Sequence, residues 1–396
     1  MLFSAFSSKK NCNSITAIRQ RANTPNYGSR STQMLGSING NNTGTNETGT
    51  VYGNFSFGNI YDQLLNEDAM REMQGIVGTD LKIAGVLDNI SDLDVMDVGT
   101  GRQALSMALL KAKSVEHFDI SQEHVDRFNS LLRHRYSDLP IVSQQRDLCL
   151  TAPPADRYDF VYLSGIVHHF SNTAIGLKNC AAAVRPGGTI WVYFYRSGTF
   201  KWLICYMIRQ LMETNERELY YHASAQILGN GDVSNLGTSR VMDDFFAPYI
   251  HLYSPNEYLE FMCSLGFEIS ATSHCDPFSD INLDLAHHSG VIVFRRVEEK
   301  DIQSVDTARM LQPESANDQI SFSLQNDPRV IEIISLFQDL KARLAVADNP
   351  VLRFATCMGL HKFSAPQYYE MTGVPKQAPD YVGVNRMLAS ALDHLN

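Results

Sequence analysis

The residues of this chain with the means to do chemistry fall into three groups. Asp97 stands two places before Gly99-Thr100-Gly101, Asp119 follows Asp97 by 22 residues, and Asp147 comes later still. Downstream lie the adjacent histidines His168-His169 and the acidic pair Asp243-Asp244. A glycine, lacking Cβ, lets a ligand lie against the backbone of a tight turn. A carboxylate at the tip of the next strand accepts two hydrogen bonds from a ribose diol. A histidine titrates near neutral pH and can take a proton from an acceptor. Together these types suggest a nucleoside-bearing ligand beside a proton acceptor.

Each group needs elements to aim it. Val95-Met96-Asp97-Val98 is apolar and β-prone, as a buried parallel strand is. From Ala104 onward Leu105, Ala108, Leu109 and Ala112 recur at helical spacing. Strand, glycine turn and helix open a site in an open α/β sheet, beyond the carboxyl ends of the strands. Residues 114–119 read as a second strand, and Ser121 as the N-cap of a helix burying Val125, Phe128 and Leu132. A third strand, 141–145, leads into Arg146-Asp147-Leu148, where turn chemistry explains an Asp as readily as ligand binding. The central run 158–164 delivers Ser164-Gly165 and the two histidines. Ser171 is expected to start a helix bearing Ile175, Leu177, Cys180 and Val184, ended by Arg185-Pro186-Gly187-Gly188, before a fifth strand over 189–195.

Gly99-Thr-Gly101-Arg-Gln-Ala104 also fits the dinucleotide fingerprint. There a pyrophosphate would lie over the helix amino end, and Asp97 would repel it. A cationic ligand without phosphate suits that carboxylate, and S-adenosylmethionine, with its ammonium and sulfonium, is one. Asp97-x-Gly99-x-Gly101 resembles motif I of class I methyltransferases, with Gln103 where that family often has a third glycine. The resemblance implies that Asp97, Gly99, Thr100 and Gly101 form the cofactor turn. It places Asp119 and Ile120 at the ribose, Asp147 and Leu148 at the adenine edge, and Ser164 facing the cofactor. Around His168-His169 the chain resembles the "LHHL" stretch of small-molecule methyltransferases, including those acting on quinone precursors, with His169 on the more typical histidine.

"Helix, R-P-G-G, apolar strand" is a further feature of that family, as is a closing strand pair, here 267–272 and 289–295. The implied fold is α/β: a Rossmann-like, seven-stranded, mostly parallel sheet with an antiparallel last strand, over residues 93–297. The implied activity is methyl transfer from S-adenosylmethionine to a small-molecule acceptor by in-line displacement, in which alignment and exclusion of water are the protein's main work. No metal is required. An oxygen acceptor would want a base, for which His168, His169 and Asp244 are the candidates; a carbon or nitrogen acceptor need not. Two other readings stay open: a methyltransferase fold serving as an inactive binding or scaffold module, and an NAD-dependent oxidoreductase.

Around this core the chain divides by composition. Residues 1–50 are rich in Ser, Asn, Thr and Gly, hold no acid before Glu47, and read as a disordered tail; their basic charge also fits an organellar transit peptide. Residues 51–92 carry apolar residues at helical spacing and are expected as lead-in helices. An insertion over about 196–253, after strand five, is too long for a plain connection. Its aromatics, among them Phe200, Trp202 and Phe245, suit a lid over an apolar or ring-bearing acceptor, or the insertion's own core. Ser254-Pro255-Asn256-Glu257 is a capping box. Residues 298–323 read as a linker and 324–396 as a helical extension capped at Asp327-Pro328, available for self-association or for covering the site. The net charge of −10 argues against a nucleic-acid surface, and no apolar run reaches the roughly 18 residues of a membrane span. Seven scattered cysteines support neither a disulfide framework nor a zinc site, so a reducing compartment such as the cytoplasm is expected.

Overall fold

A computed structural model of the chain describes residues 64, 66–212, 217–229, 243–273, 289–297, 299, 301–307, 310–311, 327–364 and 380–395. The tail 1–50, the first lead-in residues, the Gly-rich break at Gly231 and most of the linker 298–323 lie outside them.

Seven strands form one sheet in the order β3-β2-β1-β4-β5-β7-β6. These are β1 (Asp94–Val98), β2 (Ser114–Asp119), β3 (Ile141–Gln145), β4 (Tyr158–Ser164), β5 (Val184–Tyr195), β6 (Phe267–Ser273) and β7 (Ser289–Arg296). β1 to β5 pair in parallel, and β7 runs antiparallel to both β5 and β6. β1 is buried along its whole length, which is why its sequence is an apolar run rather than an alternation. The strand order reverses where β4 joins the other side of β1, so the crevice for a ligand opens beyond the carboxyl ends of β1 and β4.

Helices cover both faces. α1 (Glu67–Ile83) is capped by Asn66, buries Met70, Val77 and Leu81, and packs on α2 (Arg102–Leu109). The Tyr162 hydroxyl of β4 donates to Asp80 of α1 at 2.5 Å, tying this lead-in helix to the sheet. α3 (Gln122–Arg135) starts at the expected N-cap, Ser121. α4 (Thr173–Ala183) starts one residue later than expected, at Asn172, whose side chain accepts from the Ile175 N–H. Of the expected helix face Leu177 and Cys180 are buried, Ile175 is exposed, and Val184 is instead the first residue of β5, which starts before Arg185-Pro186-Gly187-Gly188 rather than after it. At the opposite end of the strands Asp94 accepts from Ser114 and Lys113 and pairs with Arg157 and Arg185. That cluster holds the sheet's amino-terminal edge together, far from the crevice.

The insertion supplies α5 (Phe200–Met212) and α6 (Arg217–Gly229). α7 (Pro255–Ser264) opens with the expected capping box, Ser254 and Glu257 exchanging hydrogen bonds. The C-terminal region forms α8 (Pro328–Ala347), α9 (Pro350–Ser364) and α10 (Tyr381–Asp393). Their buried faces pack against the insertion. Val330, Ile333, Leu340, Leu360 and Leu388 share one core with Phe200, Trp202, Leu203 and Ile208 of α5. Two stretches separated by more than a hundred residues thus bury each other, which no local pattern announces. Among the described residues no helix is long and apolar enough to cross a membrane.

Candidate functional site

The crevice beyond β1 and β4 holds a cavity of about 720 Å³, counting the part open to solvent. That is within the range of small-molecule sites, roughly 300–1,000 Å³. One wall comes from the ends of β1 to β3: Gly99, Thr100, Asp119, Ile120, Asp147 and Leu148. The other comes from the segment after β4 and from the insertion: Ile166, His169, Phe170 and Tyr249.

The two glycines do different work. Gly99 has φ +123° and a Cβ there would meet nothing within 4 Å, so the position faces open space on the cavity wall. Gly101, at φ +79°, is the left-handed cap of α2, and a Cβ would lie 3.0 Å from the Phe128 ring. The first glycine leaves room for a ligand, and the second lets α3 pack beneath the turn. Gln103, where a third glycine is common, accepts from the Thr100 hydroxyl at 3.4 Å and so lies along the turn.

Asp97 behaves otherwise than the sequence suggested. It is 1 % exposed and is not among the cavity's lining residues. Its Oδ2 accepts from the Ala104 N–H at 3.1 Å, in the first turn of α2. Burial raises its pKa to about 7, against the lowering effect of the Ala104 and Val98 N–H groups. The carboxylate therefore fills, from within the protein, the helix amino end that a dinucleotide phosphate would occupy. Asp97 thus meets α2 from within the protein and stands behind the cavity wall rather than on it.

Asp119 is placed as expected, 7 % exposed at the end of β2 and on the cavity wall. Its Oδ1 accepts from the Ser121 N–H at 2.7 Å, and Oδ2 lies 3.7 Å from Nδ1 of His124. Asp147 also reaches the wall, while its Oδ1 accepts from the Cys149 N–H at 2.8 Å. Turn chemistry and cavity lining coincide in this one residue. Gly101, Ser164, His168 and Asp244 are not among the lining residues.

Of the three candidate bases only His169 reaches the cavity, and both its ring nitrogens are engaged. Nδ1 is 2.9 Å from the Tyr249 carbonyl and Nε2 is 3.1 Å from Oδ2 of Asp243. Burial alone would lower its pKa, but Asp243 and the Tyr249 carbonyl raise it on balance. Two acceptors facing two nitrogens favour the imidazolium, which has no lone pair to take a proton. His168 is fully buried and stacked on Tyr195, with ring centroids 3.5 Å apart. Burial, then His169, His251 and Lys201, hold it well below the usual histidine range. Asp244 forms a buried ion pair with Lys201 at 2.8 Å. Of the three candidate bases, His168 and Asp244 lie behind the cavity wall, and His169 lies on it with both ring nitrogens facing acceptors.

The sequence reading did not single out Arg146 or Tyr249 of the cavity wall, nor His117 beneath it. His117 of β2 is buried beneath the turn, with Nε2 against the Gly99 carbonyl and Nδ1 2.8 Å from the Ser143 hydroxyl. Burial keeps it below the usual histidine pKa. The carbonyl only accepts, so Nε2 carries the proton and Nδ1 accepts from Ser143. The available signal was a polar side chain at an inward position of a strand, two residues before Asp119.

Residues 95–188 match the family model described as a methyltransferase domain. A ubiquinone biosynthesis O-methyltransferase of Coxiella burnetii is 31% identical over 98 residues, covering 24% of this chain and 41% of that protein. A highly reducing polyketide synthase of Aspergillus nomiae is 24% identical over 136 residues, covering 30% of this chain and 5% of that protein. The chain thus spans less than half the length of either curated relative. Among solved structures, an S-adenosylmethionine-dependent methyltransferase from Mesorhizobium loti is 16% identical with a TM-score of 0.36, covering 54% of this chain and 96% of that one.

Proposed function

We propose that this chain transfers a methyl group from S-adenosylmethionine to a small-molecule acceptor. One observation carries the reading. Six of the residues expected at a methyltransferase's cofactor line one wall of a single cavity, while Asp97 fills the phosphate site that a dinucleotide would need. The cavity suits this cofactor: Gly99 offers backbone with no side chain in the way, and Asp119 offers a carboxylate to a ribose diol. Asp147 and Leu148 stand where an adenine edge would be read.

When bound, S-adenosylmethionine supplies an activated methyl on a sulfonium. The chain's own task is alignment and dryness. Ile166, Phe170 and Tyr249 present apolar surface opposite the cofactor wall, which suits an apolar or ring-bearing acceptor. The Coxiella burnetii relative, named for ubiquinone biosynthesis, is consistent with such a ring. A reducing compartment, the cytoplasm, suits the five described cysteines, all free thiols.

Cell extract incubated with the protein and isotopically labelled S-adenosylmethionine, read by mass spectrometry, tests the activity. A labelled small molecule and S-adenosylhomocysteine are expected. If calorimetry shows NAD binding and no binding of S-adenosylhomocysteine, the assignment is overturned.

A further inference from the structure

Among the described residues, the insertion reaches the cavity through the segment 243–253. It is laced to the turn after β4 at three points: Asp243 to Nε2 of His169, the Tyr249 carbonyl to Nδ1 of His169, and the His251 N–H to the His168 carbonyl at 2.9 Å. Two of the three converge on a single imidazole. Between them sits Tyr249, which lines the cavity opposite Asp119 and Asp147. On its outer side the segment is held by α5 and the C-terminal helices. Arg209 donates to the Ala247 carbonyl at 2.8 Å, and Phe245 meets the edge of His361 of α9 with centroids 5.3 Å apart.

We infer that Asp243 is a positioning residue: through the protonated ring of His169 it latches segment 243–251 onto the cavity, so that Tyr249 is held against the wall more firmly while that imidazole is charged. The chemistry is one of sign. A carbonyl and a carboxylate both only accept, so both nitrogens must donate. Loss of one proton leaves a lone pair facing either Asp243 or Tyr249, and one of the two links becomes a repulsion.

The other charged and titratable groups around His169 do not replace Asp243. His168 packs edge-on at 4.2 Å between centroids and stays neutral. His251 is pushed down to about 4 by burial, then by His169. Asp244 is already paired with Lys201, Arg209 repels an imidazolium, and Tyr195 lies 6.1 Å away, edge-on.

The latch rests on the proposed function only for the identity of the ligand it encloses. The test uses the full chain. First, the His169 imidazole is titrated by NMR without ligand, in wild type and Asp243→Asn. Its midpoint is expected above the ordinary value of about 6.5, and lower in Asp243→Asn by about 1 to 3 pH units. Hydrogen exchange of the Ala247, Tyr249, Ile250 and His251 amides, corrected for intrinsic rates, should speed up in wild type as pH rises through that midpoint. The dissociation constant for S-adenosylhomocysteine should weaken across the same interval, with the break moved to lower pH in Asp243→Asn. A wild-type midpoint at or below 6.5, or exchange that ignores the titration, overturns the latch even if the variant does not fold. Absence of S-adenosylhomocysteine binding at every pH overturns the cofactor reading and leaves the latch to be decided by NMR and exchange.

Discussion

Asp97 at the end of β1 accepts a hydrogen bond from the backbone N–H of Ala104, seven residues ahead in the first turn of α2. A carboxylate is therefore held in the protein interior where an exogenous anion would otherwise bind. Its pKa, raised by burial to about 7, means that the folded state holds a proton more tightly than the unfolded chain. The linkage then lowers stability as pH rises from the ordinary carboxylate value to about 7, and leaves it level above. Asp97→Asn keeps an acceptor without the charge. Urea denaturation should show it more stable than wild type at pH 8 and little different at pH 4; a variant that is weaker at pH 8 would show that the charge itself stabilises the turn.

Asp119 is the second carboxylate of the site, and its removal should weaken ligand binding as well as orphan the Ser121 N–H. Asp119→Ala is expected to weaken S-adenosylhomocysteine binding by about 1–3 kcal/mol, the scale of a lost buried polar partner. Calorimetry on a variant with a native circular dichroism spectrum checks this. An unchanged dissociation constant would remove Asp119 from the ligand's contacts.

His117 holds the turn from beneath, so it should act on both. His117→Leu orphans the Gly99 carbonyl and the Ser143 hydroxyl, each at roughly 1–3 kcal/mol if left unsatisfied. Denaturation should report that loss, and ligand affinity should fall with it because Gly99 loses its support. Since burial keeps His117 below the usual pKa, its contribution to stability is present above the ordinary histidine value and is lost as pH falls through it and on to the native value.

Removing residues 327–396 should not yield a trimmed, well-behaved domain. The cut uncovers Phe200, Trp202, Leu203 and Ile208, which α8 to α10 bury. A contiguous apolar face of that kind promotes association. Dye binding and light scattering should both rise sharply against the full chain. A monodisperse truncated protein of unchanged stability would mean that α5 finds other cover.

Much of the architecture was legible along the chain. The apolar run of β1, the glycines after it, the Ser121 and Ser254 caps and the closing strand pair are local features, and each element formed where local chemistry put it. Asp119 and Asp147 reached the cavity because a strand's tip fixes where its last side chain can be. The three candidate bases were a different matter. Residue type marked His168, His169 and Asp244 as titratable, but only the packing of the insertion revealed which were walled off and which nitrogens were taken.

By itself the sequence determined the order of strands and helices along the chain and the end of the sheet at which a ligand would lie, since the first follows from periodicity and the second from the carboxyl ends of parallel strands. Tertiary structure decided the charge and direction of the groups there. It turned Asp97 into a cap for α2, made His169 a latch, and joined α8 to α10 to the insertion in one core. The reason is physical: what a carboxylate or an imidazole does depends on burial and on partners supplied by distant segments, and those are set only when the chain has closed on itself.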